Sequence, residues 1–80
     1  MSVGTSIEER IASLTPRERD VLEHLVRGLS NKLTAGELGI SPRTVEIHRG
    51  RVMKKMQADS FSHLIRMALQ AGILPEIDPS

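Results

Sequence analysis

The order of helix start and stop signals near the middle of the chain constrains its fold more than any other feature. Ser30 can cap a short helix, and Gly39 suits the left-handed position that follows a helix end. Ser41 and Pro42 then supply a second cap and a preferred first helical residue. Because only about three residues separate the two helices, they are expected to cross at a steep angle instead of packing side by side. The pattern therefore predicts a helix-turn-helix at about residues 30–51.

One further helix is predicted on each side of this pair. Before it, Thr15 and Glu18 form a capping box ahead of an apolar stripe at helical spacing. After it, Asp59 or Ser60 can cap a helix that ends at Gly72. The inward stripe of this last helix is expected to consist of Phe61, Leu64, Ile65 and Ala68. The sequence therefore predicts an all-α fold, a four-helix domain built around the helix-turn-helix.

The length of 80 residues allows one small domain with a modest core. Three parts are predicted: a flexible N-terminus or linker remnant at 1–13, the helical domain at 14–74, and a disordered tail at 75–80. Ile7 and Ile11 could support a turn or two of helix, but the segment IEERIAS resembles the end of a linker more than a core element.

The net charge of +1 conceals a strong asymmetry along the chain. Residues 41–57 hold five cations against one carboxylate, so the remainder of the chain is acidic. A basic face on an acidic body is typical of proteins that bind polyanions, although a solvated helix face would carry the same charges. The single aromatic residue, Phe61, disfavours single-stranded nucleic acid, which usually stacks on several rings, and favours duplex DNA.

Several classes of protein are not expected. The absence of cysteine excludes disulfides and cysteine-bound metals and fits a reducing cytoplasm. No apolar run has membrane-spanning length, and the N-terminus has no hydrophobic signal core, so a soluble cytoplasmic protein is predicted. An enzyme is not predicted, because His24, His48 and His63 lack close ligand spacing and no Gly-rich phosphate loop is present. No cofactor, metal, membrane or small-molecule substrate is expected.

The third helix, from Pro42 to about Gln57, divides into two faces when it is projected at about 100° per residue. Val45, Val52 and Met56 fall together and predict the buried side. The opposite side carries Arg43, Ile47, Gly50 and Lys54, with Arg51 beside them. A helix that is apolar on one side and cationic on the other can be held by a core while it enters the major groove of DNA.

The residue types on this helix suggest how it would read DNA. Ile47 can contact a thymine methyl, Gly50 permits close approach, and Arg51 suits bidentate contact to a guanine. Glu46 could accept from a cytosine amino group, but it is expected instead to orient Arg43 or Arg49. The predicted phosphate contacts are Asn31, Lys32, Arg43, Thr44, His48, Lys54 and Lys55. The alternatives are an incidentally exposed isoleucine, a structural histidine and lysines that are merely solvated.

Three patterns, LTPRERDVLEHLVRGLSNK, ELGISPRTVEIHRGRVMKKM and LIRMALQAG, resemble the DNA-binding domain of LuxR/FixJ/NarL-type bacterial transcription regulators. The segment SPRTVEIHR is most similar to the FixJ-like response-regulator branch. The resemblance implies a four-helix domain that regulates transcription by binding promoter DNA. It also implies that Glu46, Ile47 and Gly50 face bases and that Thr44 and His48 contact the backbone.

The resemblance further implies partners. The last helix is the usual dimer surface, here with Ser60, His63, Leu64, Met67 and Ala71, and would support a homodimer on DNA. Many members join this domain to a phosphorylatable receiver domain and contact RNA polymerase. The chain is too short to hold a receiver domain, so it is either an effector fragment, which the linker-like IEERIAS favours, or a stand-alone small regulator.

Two positions depart from the family pattern, which usually has a polar residue at Leu33 and an aliphatic one at Thr34. Leu33 is expected to point to solvent, either as a tolerated exposed leucine or as a contact for a receiver domain or polymerase.

A helical protein-interaction module is the main alternative function, and a membrane-surface helix is a weaker one. The interaction module does not account for the cations gathered on the third helix, and a membrane-surface helix would need a broad exposed apolar face.

Overall fold

The computed structural model describes residues 6–73, and the predictions for residues 1–5 and 74–80 lie outside this range. Within it the chain forms helices only: α1 (Ile7–Ala12), α2 (Pro16–Val26), α3 (Asn31–Leu38), α4 (Pro42–Lys55) and α5 (Phe61–Gln70). The predicted all-α helix-turn-helix fold is confirmed. Helices α2 to α5 correspond to the four predicted helices, and α1 is an addition to them.

Each helix begins where a serine or threonine hydroxyl caps it. These caps are Ser6, Thr15, Ser30, Ser41 and Ser60, and each hydroxyl accepts a hydrogen bond from a backbone amide in the first helical turn. Of the two caps considered for the last helix, Ser60 is the one used. Gly39 ends α3 with a φ of 71°, a left-handed conformation that explains why glycine stands there.

Helix α1 lies within residues 1–13, which were predicted to be a flexible N-terminus or linker remnant with at most a turn or two of helix at IEERIAS. Ser6 and Glu9 form a capping box, in which the Ser6 amide lies 3.0 Å from Glu9 Oε1. Ile11 is buried in the core, and Arg10 Nη1 donates to the Met56 carbonyl over 3.2 Å. The segment therefore belongs to the domain, because it places Ile11 in the core and because Arg10 donates a hydrogen bond to a carbonyl at the end of α4.

The core lies between α2, α4 and α5, with α3 packed on α4. Val45, Val52 and Met56 are fully buried, as the projection of α4 predicted. The other buried apolar residues are Ile11, Val21, Leu22, Leu25, Ala35, Leu64, Met67, Ala68 and Ile73. Because α4 buries one side against this cluster, its opposite side is left facing solvent.

Two exposed apolar residues bear on the sequence predictions. Leu33 points to solvent as expected and is 57% exposed, while its neighbour Thr34 is buried. Phe61, by contrast, was expected in the inward stripe of α5 but is 39% exposed. Phe61 is the first residue of α5, and its ring is covered by the guanidinium of Arg49 instead of by the core.

Within residues 6–73 no helix is long and apolar enough to cross a membrane.

Candidate nucleic-acid interface

The exposed side of α4 presents the four residues that were predicted to face bases. Glu46, Ile47, Gly50 and Arg51 are all exposed. Glu46 lies 3.7 Å from Arg43 in an exposed ion pair, which agrees with the expectation that it orients a neighbouring arginine. Such a pair contributes little to stability, so these side chains remain available to a ligand.

Gly50 leaves a gap in this side of the helix. A Cβ atom built there would meet no heavy atom within 4 Å outside the backbone of its own helix. The fold itself therefore does not require glycine at this position. Glycine in fact destabilises a helix interior relative to alanine by roughly 0.5–1 kcal/mol. A ligand that approaches the backbone closely would require it.

We expect Gly50→Ala to stabilise the domain by about 0.5–1 kcal/mol and to weaken duplex binding, because a methyl group would occupy the gap. Gly36→Ala is the matched control, since Gly36 is also helical and exposed and a Cβ there meets open space. It should stabilise equally without changing affinity. Thermal unfolding and duplex titration of both variants test this, and unchanged affinity in Gly50→Ala would contradict it.

The predicted phosphate contacts fall into two groups. Lys32, Arg43 and Lys54 are exposed cations, whereas Asn31, Thr44 and His48 are half-buried. The Thr44 hydroxyl lies 2.9 Å from the Ser41 hydroxyl at the start of α4. The buried Nδ1 of His48 has no hydrogen-bond partner within residues 6–73, so a proton on Nε2 is the arrangement that buries no unpaired N–H group there.

Lys55 has a different role from the one predicted. Its Nζ lies 2.7 Å from Glu18 Oε1 and 3.3 Å from the Ser13 carbonyl. Glu18 is only 2% exposed, so this lysine neutralises a buried carboxylate and is not free for a phosphate. Burial raises the pKa of Glu18, but the hydrogen bonds from Lys55 and Thr15 and the charge of Lys55 outweigh it and hold that pKa below its usual value.

This lowered pKa predicts an acid-sensitive contribution to stability. Because the pKa of Glu18 is lower in the folded chain than in the unfolded chain, the ionised carboxylate stabilises the fold fully above its ordinary pKa of 4.5. The contribution is lost as the pH falls below that value through the folded pKa. Thermal midpoints of the unaltered chain and of Glu18→Gln should therefore converge toward pH 3, and a constant difference from pH 7 to pH 3 would contradict this.

The dimer surface predicted from the resemblance needs correction. Leu64 and Met67 are 0% and 3% exposed, because they are the residues with which α5 packs on its own core. They cannot lie on a dimer surface in this fold. Ser60 and His63 take part in the cap of α5, where the Ser60 hydroxyl accepts from the His63 amide over 3.1 Å, and Ala71 is half-buried at its C-terminal end.

The outward side of α5 carries other residues that sequence reasoning missed. Phe61 and Leu69 are exposed and Ile65 is half-buried between them, which gives an apolar ridge at four-residue spacing. Ser62, Arg66 and Gln70 are exposed as well. The four-residue spacing of Phe61, Ile65 and Leu69 was visible in the sequence, but Phe61 and Ile65 were assigned to the core and Leu69 was not considered.

A short helix, a tight turn and a longer helix that is anchored on one side and cationic on the other define a helix-turn-helix DNA-binding domain. The chain belongs to the luxR family of bacterial regulatory proteins, whose family model matches residues 12–68. The family predicted from the sequence is thereby confirmed. Its members are transcriptional regulators.

FixJ proteins are among the relatives and solved structures to which the chain is similar. It is 58% identical over 73 residues to the transcriptional regulatory protein FixJ of Bradyrhizobium diazoefficiens, covering 91% of this chain and 36% of that protein. Identity to FixJ of Rhizobium meliloti is 55%, over 90% of this chain and 35% of that protein. The chain thus spans about a third of the length of the curated relatives it matches.

One solved structure matches the chain along nearly its whole length. The solution structure of the C-terminal transcriptional activator domain of FixJ from Sinorhizobium meliloti is 51% identical, with a TM-score of 0.78, and the match covers 95% of this chain and 96% of that one. Full-length FixJ from B. japonicum is also similar, with 60% identity and a TM-score of 0.78, over 85% of this chain and 34% of that one.

Proposed function

We propose that this chain is the sequence-specific, duplex-DNA-binding effector domain of a FixJ-type response regulator and that it acts on promoter DNA in the cytoplasm as a non-enzymatic transcription factor. The observation that carries the proposal is the division of α4, whose buried residues anchor it while Ile47, Gly50 and Arg51 face solvent. A helix presented in this way fits the major groove.

The proposed contacts follow from the chemistry of the exposed groups. Arg51 reads a guanine, Ile47 contacts a thymine methyl, and Gly50 allows the helix to approach the base edges. Glu46 sets the position of Arg43 through their ion pair. Phosphates are contacted by Asn31, Lys32, Arg43, Thr44, His48 and Lys54, with Lys55 removed from the predicted set because it pairs with Glu18.

Titration of the chain with duplex DNA at several salt concentrations tests this function. Contacts from the three cations Lys32, Arg43 and Lys54 to phosphates predict a slope of about −3 in a plot of log affinity against log salt. Selection from a random duplex library would then identify the preferred site. Absence of binding to any duplex at low salt would favour the alternative, a helical protein-interaction module.

We also propose that the domain works as part of a longer regulator with a receiver domain. Support comes from the relatives, of which this chain matches about a third, and from the full-length FixJ structure. The alternative is a stand-alone small regulator. That alternative predicts full, signal-independent promoter activity from residues 6–73 alone in a reporter assay.

A homodimer on DNA is proposed through the ridge formed by Phe61, Ile65 and Leu69, since it is the apolar part of α5 that its own core leaves exposed. Leu69→Glu should weaken binding to a duplex with two half-sites about one helical turn apart and leave binding to one half-site unchanged. Equal losses on both duplexes would contradict a role in dimerisation, and Gln70→Glu serves as a control for the added charge.

A further inference from the structure

Arg49 is a cation of α4 that points toward neither the core nor the proposed DNA-reading side. It lies about 120° around the helix from Arg43 and is half-buried. Its guanidinium carbon lies 4.6 Å from the centre of the Phe61 ring. Its Nη1 donates to Asn31 Oδ1 over 3.4 Å. These two contacts, here called the Arg49 bridge, connect the first residues of α3 and α5 to the middle of α4.

The contact with Phe61 depends on a planar cation. A guanidinium stacked on an aromatic face is attracted by the negative face of the ring, and lysine does not reproduce its stacking geometry. Phe61 is the only aromatic residue in the chain. The ring therefore holds the guanidinium in one orientation, and the guanidinium in turn covers the face of the ring.

The contact with Asn31 determines which end of its amide is free. A guanidinium offers only donors, so it must meet the amide oxygen. The amide nitrogen of Asn31, with two N–H groups, is then left without that partner. Phosphate oxygens only accept hydrogen bonds, so this orientation is the one that a phosphate contact from Asn31 requires. Asn31 is also the first residue of α3, where backbone amides are free.

We propose that Arg49 is a positioning residue of the DNA interface. It orients the Asn31 amide nitrogen toward a phosphate and ties the start of α5 to that contact, without contacting DNA itself. This role rests on the proposed function, because it presupposes a phosphate at the start of α3. It differs from the role of Lys54, whose exposed charge would meet a phosphate directly.

Salt-dependent titration with the selected duplex separates the two roles. Arg49→Met and Asn31→Ala should each lower the affinity for the duplex about 3- to 10-fold, which is the effect of one hydrogen bond. The affinity of the double variant should be no lower than that of whichever single variant binds more weakly. Arg49→Lys should resemble Arg49→Met although it keeps the charge. The salt slope should stay unchanged in all of them, whereas the control Lys54→Met should reduce it by about 0.9.

A measurement without DNA tests the bridge directly. The side-chain amide resonances of Asn31 should shift in Arg49→Lys, in Arg49→Met and in Phe61→Leu, which removes the ring but stays apolar. They should not shift in Lys54→Met. The shifts test whether the bridge exists in solution, while the salt slope and the behaviour of Arg49→Lys separate a positioning role from direct phosphate contact.

Three results would overturn the role of Arg49. One is binding by Arg49→Lys equal to that of the unaltered chain together with a reduced salt slope in Arg49→Met, which would make Arg49 a phosphate ligand. Another is additive losses from Arg49→Met and Asn31→Ala. The third is unmoved Asn31 resonances. Failure of the unaltered chain to bind any duplex would overturn the proposed function and this role together, and is thereby distinguishable from the other three.

Discussion

Replacing Lys55 with methionine is expected to lower the free energy of unfolding by about 1–3 kcal/mol, because it leaves a buried carboxylate without its cation. Glu18 is 2% exposed, and Lys55 Nζ is its partner at 2.7 Å. Methionine keeps the length and apolar contacts of the stem, so the loss reports on the charge. Urea unfolding of the two chains measures it. The expected loss is a large fraction of the 5–15 kcal/mol typical of a whole domain.

Lys54→Met is the matched control for this substitution. It makes the same change in charge one residue earlier, at an exposed position without an ion pair to any of residues 6–73, and should alter stability by no more than about 0.5 kcal/mol. Adding Glu18→Gln to Lys55→Met should recover part of the loss, because the buried charge is then removed. Equal destabilisation by Lys54→Met and Lys55→Met would show that the ion pair with Glu18 is unimportant.

Replacing Arg51 with alanine is expected to abolish preference for one base pair of the operator while the rest of the site is retained. A bidentate arginine contact discriminates a guanine by about 1–3 kcal/mol, and Arg51 is exposed on the proposed DNA-reading side of α4 without an ion pair in residues 6–73. Selection from a random duplex library, carried out for both chains, measures the preference at each position of the site.

Lys54→Ala provides the comparison for Arg51→Ala. A phosphate contact carries no sequence information, so affinity should fall for all duplexes alike and the salt slope should decrease by about 0.9. If the two variants change preference and overall affinity in the same way, the division of α4 into reading and phosphate-contacting residues is wrong.

Local signals were sufficient to predict the helices from α2 to α5. The caps at Thr15, Ser30, Ser41 and Ser60 act within one helical turn, so they can be recognised from neighbouring residues in the sequence. Helix α1 was considered only as a turn or two within a linker-like segment, although Ser6 and Glu9 carry the same signal. Its packing depends on a contact between Arg10 and Met56, which lie 46 residues apart, and no local pattern reveals such a contact.

The candidate site shows the same limit. Helical periodicity separated the buried and exposed sides of α4, because that division depends only on the helix itself. Periodicity did not separate Lys54 from Lys55, since the difference is set by Glu18, which lies 37 residues before Lys55. The dimer residues Leu64 and Met67 were taken from a family resemblance, which assigns a function to a helix but does not say which of its sides a given chain buries.

The separation of the two sides of α4 has a consequence for how such a domain acquires new target promoters. Ile47, Gly50 and Arg51 make no ion pair or side-chain hydrogen bond with the rest of residues 6–73, while Val45, Val52 and Lys55 hold the helix in place. Exchanging the three outward residues therefore carries little folding penalty. Duplicated genes could diverge in operator preference through a few substitutions, and the stability of the scaffold would place little restriction on the order in which those substitutions arise.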